Sequence, residues 1–308
     1  MGVGFVGLSG GAGRRVQGRR AVSERVGMGV AFQKYHGIGN DFILVDNMKS
    51  SDTLLTADES VKICDRHFGV GADGVIFMMP PVKHDSDFSM RIYNSDGSEP
   101  EMCGNGIRCL ARFAHEVLDS DKTVYKIDTL AGLIVPEIAG NMVRVDMGEP
   151  DLDPAKIPSL LTPNPNTKEA TYNVDGNDWQ VVPIGTGNPH AVVFVEQEQF
   201  KALDENLEAV GFLYENHPTF PARTNTEFIY VKSPEEIDFL VWERGAGRTL
   251  ACGTGACAAV VACSLTGRTG RKVAVNLPGG RLDIEWSEDN HMYMTGPAEL
   301  VYAGEIRR

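Results

Sequence analysis

Cys103-Gly104-Asn105-Gly106 opens a run whose apolar residues fall at Ile107, Leu110, Ala111, Ala114, Val117 and Leu118. Spacings of three and four place these on one face of a helix. Cys252-Gly253-Thr254-Gly255 opens a second such run 149 residues later. Another landmark recurs at nearly the same offset. Gly39-Asn40 precedes Phe42-Ile43-Leu44-Val45 and the acid Asp46, and 148 residues on Gly187-Asn188 precedes Ala191-Val192-Val193-Phe194-Val195 and Glu196. Nine residues before each cysteine a strand-like run ends in a polar side chain, Asn94 and Glu243. Aligned landmarks of this kind are the mark of an internal duplication.

Each half reads as strands with few helices. Runs rich in β-branched and aromatic residues (Phe42–Val45, Val75–Met78, Phe88–Tyr93, Leu133–Pro136, Val143–Met147) alternate with Gly, Asp and Pro turns. The helix after Cys252 is mostly Ala, Val and Cys and ends at Gly267; small apolar residues around its girth predict a helix enclosed by sheet. The expectation is an α/β chain of the α+β type. Two pseudo-symmetric lobes, 30–148 and 149–296, each wrap a mixed, mostly antiparallel sheet around a central helix. The five prolines of Pro150–Pro165 mark the linker.

The 308 residues suit two domains, and 42% hydrophobic content fills two cores. No apolar run approaches the ~18 residues of a membrane span. A charge of −13 argues against nucleic acid or anionic lipid as partner. Six cysteines are too few for a disulfide scaffold, which predicts an intracellular protein with reduced thiols. Residues 1–29 stand apart: nine Gly, Arg14, Arg15, Arg19, Arg20, Arg25 and one acid, Glu24. They cannot bury a core and are expected to lie outside the fold, either as a transit peptide or as a frayed terminus. The body then carries −17.

A cysteine at a helix start has particular chemistry open to it. First-turn amides lack intrahelical partners and the helix dipole is positive there, so a carboxylate can rest on them. The same potential is expected to lower the thiol pKa from ~8.5. If the two helix starts face one another, they hold one carboxylate while two sulfurs flank the adjoining carbon. One thiolate can remove an α-proton and the opposite thiol can return one from behind. The residues thus point to racemisation or epimerisation without a cofactor or metal.

His36-Gly37-Ile38-Gly39-Asn40-Asp41-Phe42, Cys103-Gly104-Asn105-Gly106, Gly187-Asn188-Pro189-His190 and Glu243-Arg244-Gly245-Ala246-Gly247, followed by Ala251-Cys252-Gly253-Thr254-Gly255, closely resemble diaminopimelate epimerases over about residues 31–306. The resemblance implies interconversion of LL- and meso-diaminopimelate in lysine biosynthesis. It also implies a cleft between two lobes, a final strand near Ala298–Ile306 that returns residues 297–308 to the first lobe, and a homodimer. Cys103 and Cys252 match the family's acid/base pair. Gly104, Asn105, Gly253 and Thr254 match backbone donors to the reacting carboxylate. Asn94, Glu243 and the Arg244 carbonyl match the α-amine contacts; Asn40, Asn188, Asn225 and the Arg244 side chain match the grip on the distal end. His190 and Glu243 match residues that tune the thiols. Gly74 departs from the family's frequent Gln, which leaves a distal contact missing or supplied by Asp73. The address is cytoplasmic, or plastid stroma if the leader is a transit peptide.

Other readings are weaker. Gly69-Val70-Gly71-Ala72-Asp73-Gly74 fits G-x-G-x-x-G but follows a helical pattern and precedes a strand, the reverse of a dinucleotide site. Cys103/Cys109 and Cys252/Cys257 lack zinc spacing. Cys64, Cys109, Cys257 and Cys263 read as buried small hydrophobes, Trp242 and Trp286 as core aromatics. His36 reads as a structural hydrogen bonder, and His84, His115, His217 and His291 as structural or exposed. The rival functions are a proline or hydroxyproline racemase of the same architecture and a thiol redox protein using Cys103 and Cys252.

Overall fold

The computed structural model describes residues 3–5, 29–83, 85–118 and 121–307. The first half runs β1 (Val3–Phe5), β2 (Gly29–Gly37), β3 (Asn40–Asp46), α1 (Ala57–Cys64), β4 (Gly74–Met79), β5 (Phe88–Asn94), α2 (Gly104–Val117), β6 (Ile127–Thr129), β7 (Gly132–Ile134), β8 (Glu137–Ala139) and β9 (Met142–Asp146). The second runs β10 (Ala170–Val174), β11 (Asn177–Gly185), β12 (Pro189–Phe194), α3 (Gln197–Glu215), β13 (Asn225–Ser233), β14 (Glu236–Glu243) and β15 (Gly247–Arg248). It continues through α4 (Gly253–Leu265), β16 (Lys272–Leu277), β17 (Gly280–Trp286), β18 (Met292–Pro297) and β19 (Glu299–Arg307).

The duplication is visible as repeated topology. β2–β3 pair antiparallel, β3–β4 parallel, β4–β5 antiparallel, β5–β6 parallel and β6–β7 antiparallel. β11–β12, β12–β13, β13–β14, β14–β16 and β16–β17 repeat that alternation in the same order. Two sheets result, one ordered β1-β19-β2-β3-β4-β5-β6-β7 and the other β10-β11-β12-β13-β14-β16-β17-β18-β9-β8, with β15 on β14.

Each half gives a closing strand to the other. β19 pairs antiparallel with β2, and β9 pairs antiparallel with β18. This corrects the expected lobe boundary: residues 137–146, assigned to the first lobe, belong by hydrogen bonding to the second sheet. The β8–β9 hairpin still packs against α2, so one hairpin serves both lobes. A second correction concerns the leader. Val3–Phe5 adds an edge strand to β19, and Gly29 begins β2 opposite Arg307; an edge strand needs only backbone partners, which the leader's composition does not preclude. The rest of the expected leader, and His84, lie outside the described residues.

In α4, Ala256 to Cys263 are without exception fully buried. The helix touches β11, β12, β13, β16, β17 and β18; small side chains let strands approach on all sides. One hydrophobic core runs through both lobes, taking in Ile107 and Leu110 of α2, Val182 and Val192 of the second sheet, and Val260 of α4. α3 was not anticipated. It buries a narrow stripe, Leu203, Leu207, Gly211, Tyr214 and Glu215, while Phe212 and Leu213 are exposed among its charged and polar residues. Gly69-to-Gly74 lies between α1 and β4, and a Cβ at Gly69 would stand 2.4 Å from the Ile63 carbonyl oxygen. Packing, with no nucleotide, explains that glycine.

Candidate active site

Strand register gathers the polar residues at matching ends of the two sheets. Gly74 lies beside Phe42 on one flank and Asn94 on the other, which brings Asn40, Asp73 and Asn94 to one end of the first sheet. His190 lies beside Asn225, and Thr226 beside Trp242, which brings Asn188, Asn225 and Glu243 to the corresponding end of the second.

The cysteines are the N-caps of α2 and α4. Extended backbone angles (φ −138°, ψ 118° for Cys103; φ −122°, ψ 103° for Cys252) turn each sulfur back over its helix start. Cys103 Sγ accepts from Gly106 N–H and Cys252 Sγ from Gly255 N–H, both at 3.4 Å. The helix starts meet. Asn105 donates its side-chain amide to the Ala251 carbonyl at 3.2 Å and to Asn40 Oδ1 at 3.1 Å. Met294 fills the space below: its Cε is 3.1 Å from a Cβ built on Gly104, its Sδ 2.8 Å from one built on Gly253. Both glycines are needed for that approach. The Glu243 carboxylate acts electrostatically on both Cys252 and Cys103, so it lies near both sulfurs.

The expected fall in thiol pKa is corrected. Burial pushes Cys103 up, outweighing the amides of Gly106 and Asn105 that favour thiolate. Burial pushes Cys252 well up, and the carboxylates of Glu243 and Glu227 push further. Desolvation of the anion exceeds what the helix start returns. Burial also raises Glu243, against hydrogen bonds from Thr249 and Cys252. His190 and Glu227 are both fully buried, 2.6 Å apart between Nδ1 and Oε1, and His190 Nε2 lies 2.8 Å from Asn188 Oδ1. With Nε2 donating to that amide oxygen, the Nδ1–Glu227 contact needs a proton of its own, held on the ring or on the carboxyl.

Several predicted residues also carry structural hydrogen bonds. Asn225 is buried, donating to the Pro189 carbonyl at 2.9 Å and accepting from Arg244 N–H at 2.9 Å, which fixes the Arg244 backbone. The exposed Arg244 guanidinium donates to the Ala222 carbonyl. Asn94 donates to Ser98 Oγ within its turn. Thr254 Oγ1 sits 3.5 Å from Cys252 Sγ. Asp73 is not free to replace the family's Gln: it accepts from Asn40 Nδ2 at 2.7 Å and from Arg66 at 2.8 Å. It aims Asn40 so that Oδ1 faces Asn105 and, at 3.9 Å, Cys103. Gly74 has no room for a side chain, since a Cβ would stand 2.8 Å from the Tyr93 carbonyl oxygen.

Two acids escaped the sequence reading. Glu227 lies beside the Cys252 helix start; its Oε1 would be 2.8 Å from a Cβ on Gly255, and Oε2 has no partner among the described residues. An acid inside the strand-like run Thr226–Val231 was the available signal. Glu215, at the end of α3, accepts from Trp242 Nε1, Arg223 and Gly245 N–H and so anchors the loop carrying Arg244. Nothing local in the sequence announces it. Cys64, Cys109, Cys257 and Cys263 are buried as expected. Among the described residues no group of three His, Cys, Asp or Glu is placed to hold a metal ion, and no helix is long and apolar enough to cross a membrane.

Solved structures share this two-lobed sheet fold. A hydroxyproline epimerase from Agrobacterium vitis, with bound trans-4-hydroxy-L-proline, matches at TM-score 0.59 and 14% identity, covering 92% of this chain and 93% of that one. A predicted epimerase from Pseudomonas aeruginosa matches at TM-score 0.61 and 15% identity, covering 90% and 99%. The sequence model of diaminopimelate epimerases matches residues 32–152 and 182–301. The diaminopimelate epimerase of Synechococcus elongatus is 54% identical over 91% of this chain and 99% of its own length. The chloroplastic diaminopimelate epimerase of Oryza sativa subsp. japonica is 55% identical over 92% and 81%. The chain belongs to the diaminopimelate epimerase family.

Proposed function

We propose that this chain interconverts LL- and meso-2,6-diaminopimelate in lysine biosynthesis, with Cys103 and Cys252 as the two bases. One thiolate takes the α-hydrogen as a proton and leaves its electron pair on the α-carbon. The opposite thiol then gives its proton to the other face, so the two sulfurs exchange protonation state with each inversion. The amides of Gly104, Asn105, Gly253 and Thr254 hold the α-carboxylate as charge spreads onto it. Glu243, Asn94 and the Arg244 carbonyl hold the α-ammonium; Asn40, Asn188, Asn225 and the Arg244 side chain form the distal end of the site, with His190 behind it.

The observation that carries this reading is the Asn105–Ala251 hydrogen bond, which ties the residue two after one cysteine to the residue before the other.

The test is isotope wash-in. In deuterated water with a reductant, the α-hydrogen of diaminopimelate exchanges, whereas that of proline or hydroxyproline does not. Cys103→Ala and Cys252→Ala each abolish full epimerisation; wild-type turnover in either variant refutes the assignment. The rice relative's chloroplastic name and the basic leader support a plastid address, which organelle fractionation tests. A homodimer is the assembly the family resemblance implies, and light scattering on the purified chain tests it.

A further inference from the structure

We propose that Arg108 is a positioning residue for this reaction: a buried cation beneath the two helix starts that lets a substrate carboxylate and a thiolate occupy the cradle together. Arg108 is fully buried. Its Nη1 donates to Met294 Sδ at 3.2 Å and its Nε to the Pro297 carbonyl at 3.4 Å. Nη2 has no partner, and no acid among the described residues pairs with this guanidinium. A buried guanidinium without a counter-acid is costly to desolvate, so a fold that keeps one has a use for its charge.

The surroundings are shaped to hold it. A Cβ on Gly37 would stand 2.8 Å from Nη2, and one on Gly296 3.3 Å from Nε. Glycines on β2 and β18 therefore leave the space that the guanidinium fills. Arg108 follows Gly104 by four residues, so the two share a face of α2 and the long side chain leans back toward the helix start. Met294, which receives its Nη1, is the same side chain that touches both Gly104 and Gly253. One methionine thus separates the cation from both carboxylate cradles.

Charge counting supplies the reason. Each helix start offers roughly half a positive charge, so two of them balance one anion. Turnover places two there, the α-carboxylate and the attacking thiolate, while Glu243 is matched by the substrate ammonium. Arg108 supplies the missing positive charge, and its field already favours thiolate at Cys103. This inference rests on the two-cysteine reading, but its test needs no turnover.

The experiment titrates Cys103 by the pH dependence of iodoacetamide alkylation in a Cys252→Ser background, comparing Arg108, Arg108→Lys, Arg108→Gln and Arg108→Met, with folding checked by circular dichroism. Loss of the charge in the Gln and Met variants moves the Cys103 titration up by about one unit, a tenfold loss of thiolate at fixed pH; Lys restores most of it. With Cys252 present, kcat/KM falls at least tenfold in Gln and Met and recovers in Lys. A folded Gln or Met variant with an unchanged titration overturns the proposal, and so does loss of folding in both Gln and Lys, either of which makes Arg108 a structural brace. Absence of diaminopimelate exchange in the parent would sink the proposed function instead and leave the titration to be read on its own.

Discussion

Asn105 and Ala251 join the two helix starts, side-chain amide to main-chain carbonyl, at 3.2 Å. The bond sets how closely the two helix starts approach, while the Asn105 backbone N–H remains at the Cys103 helix start. Asn105→Ala removes the bridge and keeps that amide. We expect kcat/KM to fall by about tenfold or more, the worth of one or two buried hydrogen bonds, with a smaller change in melting temperature. Steady-state kinetics beside thermal melts check it; equal activity would show that closure is set elsewhere.

Burial pushes both thiols up; the carboxylates of Glu243 and Glu227 add to it at Cys252, and that of Glu243 adds to it at Cys103. Negative charge disfavours thiolate, so removing it lowers a thiol pKa. Glu227→Gln therefore speeds alkylation of Cys252 at pH 8, about threefold to tenfold, and leaves Cys103 nearly unchanged. Peptide mapping after timed iodoacetamide treatment reads both sites at once.

Gly74 is set between Phe42 and Asn94 with a backbone oxygen where its Cβ would go. Restoring the family's frequent residue by Gly74→Gln destabilises the chain by about 1–3 kcal/mol, the cost of overpacking against an unyielding neighbour, and gains no affinity. Urea denaturation beside KM measurement decides it.

Asp41 is opposed by burial yet held below the usual carboxylate range by hydrogen bonds from Arg66 and Lys34. A depressed folded-state value means its contribution is complete above the unfolded pKa of about 3.9 and disappears as pH falls through the folded one. The wild type thus loses stability on acidification faster than Asp41→Asn. Urea midpoints measured from about pH 5 down to pH 3 would show parallel lines if the Lys34–Asp41–Arg66 cluster were idle.

The duplication made the architecture legible, because two Cys-Gly-x-Gly turns and two Gly-Asn turns at one offset admit little else. Cys103, Cys252, Asn40 and Glu243 could be nominated as candidates since each belongs to a short motif with its own local geometry. Glu215 and Arg108 were not: their importance comes from partners far along the chain, Gly245 and Trp242 for one and Met294 and Pro297 for the other. The direction of the thiol shifts was misread for a related reason. A helix start is a local property, but burial depends on everything the fold packs around it. The β8–β9 hairpin was misassigned because hydropathy marks a strand without naming its partner.

The reciprocal exchange of β9 and β19 has a consequence for synthesis and for handling. β2 leaves the ribosome long before β19, its neighbour in the finished sheet. The half that is translated first is thus the half completed last, waiting with an open flank until β19 is made. A tag, clip or frameshift near Glu299 would strike the amino-terminal half, and a defect blamed on residues next to Cys103 can originate some two hundred residues further along the chain.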